Sequence, residues 1–502
     1  MQINVLEWLE DTVAKYENKP IFSDKEQSVT FAETLKIAQA IGSAICEKGI
    51  YRKPIAVISG RHCKTPITFL GVVYSGCFYA PIDGSLPIER INQIIDTLEP
   101  ALILVDEENR KVLEKIDFSC DIMFAEVASE HSIDYNNLKN IRRFANETDP
   151  LYVIFTSGST GKPKGVITSH HSLMCYIDAY SEVMQINDSD ILGNQSPLDY
   201  IAAIRDIYLP LKHGCSTVII PKQLFMTPAM LFDYMNEHKV TSVGWSVSAL
   251  TVPVKLNGFD HGKPETLKKV CFSGSVMPCN ALKIWQQNLK GTKFVNQYGP
   301  TEATASCTYY VVDNEVEDND VLPIGLPYRD YRVLILDENG TEVEDGEQGE
   351  ICVSGPVLAL GYYNNPEQTA RDFIQNPNNK AYRELIYKTG DIGLRRTDGI
   401  LEFHGRKDRQ IKHLGHRIEL DEVEGVANAV GCVHESCVIY NKPKETLYLF
   451  YSGEATKKEI AVEMRKTLPG FMIPRQIVQL EKLPKLPNGK TDMKSLNDMA
   501  VK

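Results

Sequence analysis

The chain has 502 residues, with 54 Lys and Arg against 66 Asp and Glu, which gives a formal net charge of −12. Its content of 43% hydrophobic and 24% charged residues is typical of a globular protein of more than one domain, and it excludes disordered and fibrous classes. The acidic balance argues against nucleic acids and anionic membranes as partners, because both repel a negatively charged protein.

The N-terminal third contains no segment that we interpret as a signal peptide or a membrane span. The first residues carry Glu7, Glu10 and Asp11 where a signal peptide would be basic and then apolar, and their apolar positions indicate an amphipathic helix. The uncharged run 65–82 contains Pro66 and Gly71, which favours a buried helix followed by a turn. The twelve cysteines include no CxxC pair, which is typical of a reduced cytoplasmic protein.

Residues 50–300 alternate between short β-branched runs and helical stretches. The helical stretch at 91–98 places Ile91, Ile94, Ile95 and Leu98 on one face. Such alternation predicts an α/β fold with largely parallel sheets. The predicted strands are 54–59, 101–106, 216–221 and 269–274.

The pattern changes after about residue 320. Apolar alternation broken by Glu-Asn-Gly and Asp-Gly turn signals predicts hairpins in a β-rich module over about 320–405. The remaining residues mix helix and strand again, and the polar segment 405–412 is the expected junction. We therefore expect a large N-terminal lobe, 1–407, and a small, mobile α+β domain, 408–502.

The segment TSGSTGKPKG at 156–165 carries the most chemical information. Its three glycines, four hydroxyls and two lysines suit a loop whose backbone N–H groups surround a polyphosphate. A flexible linker would not need two lysines directly after a buried strand. The common P-loop requires Ser or Thr after its lysine, whereas Pro163 follows Lys162. Because proline interrupts a helix, this loop is expected to join two strands.

With this loop, the sequence resembles the adenylate-forming superfamily: peptide-synthetase adenylation domains, D-alanine–carrier-protein ligases and acyl-CoA synthetases. Segment 70–90 is also similar to an early adenylation-domain segment, and the resemblance covers nearly the whole chain. It implies an ATP-dependent acid–thiol ligase that forms AMP. The further motifs, in the family's order, are NQYGPTE at 296–302, YKTGD at 387–391, GRKDRQIK at 405–412, GHRIEL at 415–420 and PNGK at 487–490.

The resemblance implies ATP and Mg²⁺ as cofactors. Tyr298 is expected to stack on adenine, Asp391 to accept hydrogen bonds from the ribose diol, and Glu302 to bind Mg²⁺. Arg406 is expected to reach ribose or phosphate, with an interdomain salt bridge as the competing interpretation. The expected nucleotide contacts are Thr156, Ser157, Gly158, Ser159, Thr160, Gly161, Lys164, Asn296, Gln297, Tyr298, Gly299, Pro300, Thr301, Asp391, Phe403, Arg406 and Lys490.

Lys490 resembles the family's catalytic lysine, which acts together with Thr301 and Glu302. It would bridge the substrate carboxylate and the α-phosphate, since two anions must be brought together and the charge moving on phosphorus balanced. Asp408 resembles the hinge about which the small domain turns between adenylate formation and thiol transfer. In the second orientation the lysine loop is swung out and the Gly415 loop reaches the active site.

Residues 196–208 bear on the identity of the acid. In α-amino-acid-activating relatives an aspartate holds the substrate ammonium, and our ungapped match puts Ile201 at that position. Asp199 would replace it only if the segment were a strand, so we favour an acid without an α-amino group, such as an aryl or hydroxy acid. Arg205 would bind a polar or anionic tail, or form a salt bridge with Asp206 or another carboxylate. The expected pocket residues are Asp199, Ile201, Ala202, Arg205, Gly244, Cys271, Ser273, Gln297, Ala305 and Ser306.

The thiol acceptor is inferred from the overall pattern. Because the sequence ends soon after Lys490 with no carrier domain, we expect a separate carrier protein with a phosphopantetheine group. Free CoA is the alternative acceptor, and a nucleotide-binding module that has lost catalysis is the alternative from another class. The retention of the phosphate loop, Glu302 and Lys490 together argues against lost catalysis.

Overall fold

Helices and strands alternate up to about residue 300, as the sequence pattern predicts. The computed structural model describes residues 2–158, 162–318, 320–486 and 490–501. The α-helices are α1 (Val5–Tyr16), α2 (Phe31–Glu47), α3 (Thr65–Tyr74), α4 (Ile88–Leu98), α5 (Ala125–Ser129), α6 (Tyr135–Arg142), α7 (His170–Met184), α8 (Ile204–His213), α9 (Pro228–Glu237), α10 (Val247–Lys255), α11 (Cys279–Asn288), α12 (Pro366–Asp372), α13 (Leu420–Asn428), α14 (Lys457–Thr467) and α15 (Met493–Val501).

The strands follow the predicted positions closely in the first half of the chain. They are β1 (Pro20–Ser23), β2 (Ser28–Thr30), β3 (Pro54–Ser59), β4 (Phe78–Asp83), β5 (Leu102–Val105), β6 (Asp121–Phe124), β7 (Pro150–Thr156), β8 (Lys164–Ser169), β9 (Ile191–Asn194), β10 (Ser216–Ile219), β11 (Ser242–Ser246), β12 (Lys269–Ser273), β13 (Lys293–Tyr298), β14 (Thr308–Val311), β15 (Leu326–Pro327), β16 (Arg332–Leu336), β17 (Gln348–Ser354), β18 (Gly361–Tyr362), β19 (Phe373–Gln375), β20 (Leu385–Arg395), β21 (Leu401–Arg406), β22 (Gln410–His413), β23 (His416–Glu419), β24 (Val433–Asn441), β25 (Thr446–Gly453) and β26 (Gln476–Gln479).

Two large mixed sheets contain all the strands from β1 to β15, together with β18. One has the order β18-β8-β7-β4-β3-β5-β6 and the other β15-β14-β13-β12-β11-β9-β10-β1-β2. In both, the central strands are parallel and antiparallel pairs lie toward the edges. Every residue of β3 is buried, as expected for a parallel strand covered on both faces. The predicted α/β class is therefore confirmed.

Local sequence explains the helices that cover these sheets. In α4 the stripe of Ile91, Ile94, Ile95 and Leu98 is buried. In α2 a capping box joins Thr30 and Glu33, which satisfies two N-terminal backbone donors. The uncharged run predicted to be a buried helix and a turn is α3, buried along its whole length and followed by β4.

An antiparallel module follows, with the order β16-β17-β20-β19 and β21 paired to β20. The next residues form the β22–β23 hairpin and a three-stranded sheet, β24-β25-β26, packed against helices around a separate core. Within the described residues, no helix is both long and apolar enough to cross a membrane.

Candidate active site

The hairpin between β7 and β8 carries the phosphate-loop motif. The strands pair antiparallel with Thr156 opposite Lys164, so the motif joins two strands as predicted. A Cβ at Gly158 would lie 2.1 Å from the Lys162 carbonyl oxygen, so a side chain has no room there. The buried Thr156 hydroxyl has no hydrogen-bond partner among the described residues. The close backbone approach at Gly158 and the unused Thr156 hydroxyl suit an oxyanion.

Three predicted contacts in this hairpin, Ser159, Thr160 and Gly161, lie outside the described residues. The neighbouring Ser157 is buried, and its hydroxyl donates to the Arg417 carbonyl oxygen at 2.8 Å. Arg417 belongs to the β22–β23 hairpin, so that hairpin lies directly against the phosphate loop.

Glu302 is fully buried in the short 3₁₀ turn Thr301–Ala303. Its carboxylate accepts hydrogen bonds from Arg417 Nη1 at 2.8 and 3.1 Å and from the Tyr362 hydroxyl at 2.8 Å. Lys164 Nζ lies 3.4 Å from the same carboxylate. Although burial opposes ionisation, the cations Arg417 and Lys164 hold the pKa of Glu302 well below its usual range. The carboxylate is therefore ionised at neutral pH.

The Glu302 carboxylate suits Mg²⁺ chemically. Mg²⁺ binds through one or two carboxylates together with phosphate oxygens and water, and Glu302 is an ionised carboxylate beside the phosphate loop. In the present arrangement the Arg417 guanidinium contacts both of its oxygens. Within the described residues, no group of three or more His, Cys, Asp or Glu side chains is placed to hold a metal ion. A cation at Glu302 would thus need phosphate oxygens as further ligands and the withdrawal of Arg417.

Asp391 and Tyr298 lie together at the end of β13. The Tyr298 hydroxyl donates to Asp391, and Arg406 donates to the other oxygen of the same carboxylate. Arg406 Nε also donates to Asp408 at 2.7 Å, so Arg406 links the expected ribose-binding carboxylate to the expected hinge. The ring of Phe403 lies 6.3 Å from that of Tyr298.

The rest of the 296–302 motif shapes the loop that follows β13. Asn296 donates to the Pro323 carbonyl oxygen at 2.8 Å, and a Cβ at Gly299 would lie 2.4 Å from Ser306 Cα. Thr304 and Ala305 have φ of 46° and 73°, a conformation that L-residues adopt rarely and that concentrates at functional sites. The tight loop keeps Pro300 and Thr301 at the wall of a neighbouring cavity.

This acid cavity, as we call it, is partly open to solvent, and its atom-free space of about 730 Å³ includes part of that solvent. Segments 195–205, 299–306 and 412–417 contribute to its wall. The predicted substrate positions that line it are Ile201, Ala202, Arg205, Ser273, Ala305 and Ser306. Three others, Gly244, Cys271 and Gln297, contact the guanidinium of Arg205 instead.

Asp199 lies in a neighbouring cavity, which it shares with Thr156, Ser157 and His416. The segment is a turn that leads into the 3₁₀ helix Ile201–Ala203 and then α8, so the alternation of a strand does not apply. Burial, with the nearby charge of Asp83, raises the pKa of Asp199 to about 7. Asp199 and Ile201 therefore face different spaces.

Lys490 is exposed, and its carbonyl oxygen accepts a hydrogen bond from the Leu486 N–H at 2.8 Å. It is not among the residues that line the acid cavity, and the other residues of its motif, 487–489, lie outside the described ranges. The cavity wall is completed by Lys412, Leu414 and the Gly415–Arg417 segment instead. Sequence reasoning assigned no role to Arg417, although it stands inside the motif GHRIEL at 415–420.

The model of the AMP-binding enzyme family matches residues 9–363. Tyrocidine synthase 1 of Brevibacillus parabrevis is 29% identical over 481 residues, covering 94% of this chain and 43% of the relative. Bacitracin synthase 1 of Bacillus licheniformis is 32% identical over 477 residues, covering 94% of this chain and 9% of the relative. The chain thus spans less than half the length of these curated relatives.

The fold recurs in a solved structure, the Vibrio cholerae adenylation domain AlmE in complex with glycyl-adenosine-5'-phosphate. The two share a TM-score of 0.86 and 22% identity, with 100% of this chain and 98% of that chain covered. At this identity the likeness concerns the fold.

Proposed function

We propose that this chain, which belongs to the AMP-binding enzyme family, activates a carboxylic acid for transfer to a thiol. It is an adenylate-forming ligase of the peptide-synthetase adenylation type. In the first step a carboxylate oxygen would attack the α-phosphorus of ATP, forming an acyl-adenylate and releasing pyrophosphate. In the second step the thiol of a separate, phosphopantetheine-bearing carrier protein would attack the acyl carbonyl, releasing AMP.

The observation that carries this proposal is the position of the 299–306 segment. Its residues Pro300 and Thr301 line the acid cavity, while the next residue, Glu302, lies against Lys164 of the phosphate loop. An acid in the cavity and a phosphate at the loop would therefore meet at Thr301. Buried, preorganised charges at such a meeting point stabilise developing charge more strongly than water does.

The residues divide between the two half-reactions. For adenylate formation, we assign Tyr298 and Asp391 to the nucleoside, the phosphate loop to the triphosphate, and Glu302 to Mg²⁺, which when bound would neutralise phosphate charge. Lys490 would bridge the two anions after the C-terminal domain, residues 408–502 in our proposed division, turns at Asp408. For thiol transfer, we propose the arrangement seen in this structure, in which the β22–β23 hairpin lines the acid cavity.

The choice of a carrier protein rests on the motif pattern, which resembles carrier-protein ligases and peptide-synthetase adenylation domains more than CoA synthetases. Free CoA is the other acceptor we consider. All twelve cysteines have free thiols, and we propose that the reaction takes place in the reducing cytoplasm.

The test is an ATP–pyrophosphate exchange screen over amino, aryl, hydroxy and fatty acids. Label exchange that depends on one acid supports the first half-reaction. Thioester formation is then measured with CoA and with a panel of pantetheinylated carrier proteins. Turnover with CoA and none with any carrier would contradict the choice of acceptor, while no exchange with any acid would contradict the activation itself.

A further inference from the structure

A buried guanidinium forms part of the wall of the acid cavity. Arg205, on α8, is 1% exposed and lines the cavity. Its Nη2 donates to the Gly244 carbonyl oxygen at 2.7 Å, and Nη1 donates to Gln297 Oε1 at 3.3 Å. The buried Nε–H has no hydrogen-bond partner among the described residues. Because arginine stays protonated in proteins, the protein buries a full positive charge here.

Carboxylates of the protein do not balance this charge directly. The adjacent Asp206 turns its carboxylate to Asn194, which donates to it at 2.8 Å. Within the described ranges, no carboxylate forms an ion pair with Arg205, whose contacts are all neutral groups. Asp206 favours the charged form of Arg205 through space but makes no contact with it. Because a buried charge without a directly paired counter-charge is costly, the site favours an anion.

The other charged groups at the cavity are also cationic. Lys412 lies over the Tyr298 ring, 5.7 Å from its centroid, and Arg417 is paired with Glu302. No Asp or Glu lines the cavity among the residues that the structure describes. A substrate ammonium would find no carboxylate partner at this wall, whereas an anionic group would find Arg205.

The protein holds the guanidinium in place. The ring of Tyr180 lies under it, 5.6 Å from Cζ. A Cβ at residue 244 would lie 2.9 Å from three guanidinium atoms, so the glycine there leaves the space that Arg205 occupies. Gln297 is itself fixed, since its amide donates to the Tyr328 hydroxyl. A charge fixed in this way is preorganised for a ligand.

We propose that the substrate is a dicarboxylic acid without an α-amino group, whose second carboxylate binds Arg205 while the first is activated. A carboxylate suits this position because it is planar and accepts charge-assisted hydrogen bonds from a guanidinium. The isoleucine at residue 201, on the same cavity wall, cannot pair with an ammonium. This inference rests on the proposed function and narrows it to one class of acid.

The test compares each diacid with its monoamide, which has the same size and lacks the second charge. Malonate, succinate, glutarate and isophthalate, each beside its monoamide, are assayed by ATP–pyrophosphate exchange. We expect kcat/KM for the best diacid to exceed that of its monoamide at least tenfold. Arg205→Gln should reduce that preference to about one, and Arg205→Lys should retain part of it. Arg329→Gln, a substitution of an exposed arginine, is the matched control and should leave the preference unchanged.

The outcomes separate the two levels of the proposal. Stronger exchange with a monocarboxylic or α-amino acid than with every diacid would overturn the substrate class and leave acid activation standing. Equal losses for diacid and monoamide in Arg205→Gln would show that Arg205 only ties α8 to the sheet, which also overturns the inference. No exchange with any acid, while MgATP binding is still measured, would overturn the proposed function and this inference with it.

Discussion

Replacing Arg417 with glutamine should separate the two half-reactions. Its guanidinium makes two contacts to the buried Glu302 carboxylate, at 2.8 and 3.1 Å, and these exist only while the β22–β23 hairpin lies against the N-terminal lobe. Removing one partner of a buried ion pair costs about 3–5 kcal/mol. Since Lys164 and Tyr362 still contact Glu302, we take the lower limit, about 3 kcal/mol, or roughly a hundredfold.

The substitution should destabilise only the arrangement in which the β22–β23 hairpin is docked. When the proposed C-terminal domain turns away, water can solvate the Glu302 carboxylate. Thioester formation from supplied acyl-adenylate should therefore fall by about a hundredfold. MgATP binding should become tighter, because Arg417 no longer competes for both Glu302 oxygens.

Transfer is measured with the acyl-adenylate of the acid that performs best in the exchange screen, and MgATP binding by calorimetry. Arg475→Gln, a change of an exposed arginine in the same domain, is the control and should alter neither quantity. Weaker MgATP binding in Arg417→Gln, or unchanged transfer, would refute the reasoning. Either result would mean that Arg417 does not stabilise the docked hairpin by competing with MgATP for Glu302.

Three further predictions concern single residues. Gly244→Ala should lower diacid-dependent exchange about tenfold by displacing Arg205, at a stability cost of about 1 kcal/mol; an unchanged rate with a normal thermal midpoint would count against it. Lys490→Ala should reduce exchange by at least about a hundredfold while transfer from supplied acyl-adenylate survives, and equal loss of both would contradict its role. Burial, with nearby Lys222, lowers the pKa of His416 to about 4, so the docking that its neutral form stabilises should be complete above pH about 6.5 and lost as pH falls toward 4. Fluorescence transfer between labels on the two lobes should show this loss in wild type and not in His416→Phe. Identical pH profiles for the two proteins would mean that His416 does not control docking.

Local sequence determined the positions of most helices and strands in the first half of the chain and the kind of connection that the phosphate loop makes. The spacing of apolar side chains, as in the stripe at 91–98, decides which face of a helix is buried. Pro163 after Lys162 decides that the loop joins two strands. These properties depend on residues a few positions apart, so a sequence carries them without the rest of the fold.

Only the tertiary structure decided which distant side chains meet. Glu302 and Arg417 are 115 residues apart, and their ion pair depends on how the β22–β23 hairpin packs against the Thr301–Ala303 turn. Asp199 and Ile201, two positions apart, face different cavities because the backbone turns between them. The charge of Arg205 was visible in the sequence, but its lack of a carboxylate partner among the described residues depends on where Asp206 points. Contacts of this kind arise from packing between elements, and no periodicity encodes them.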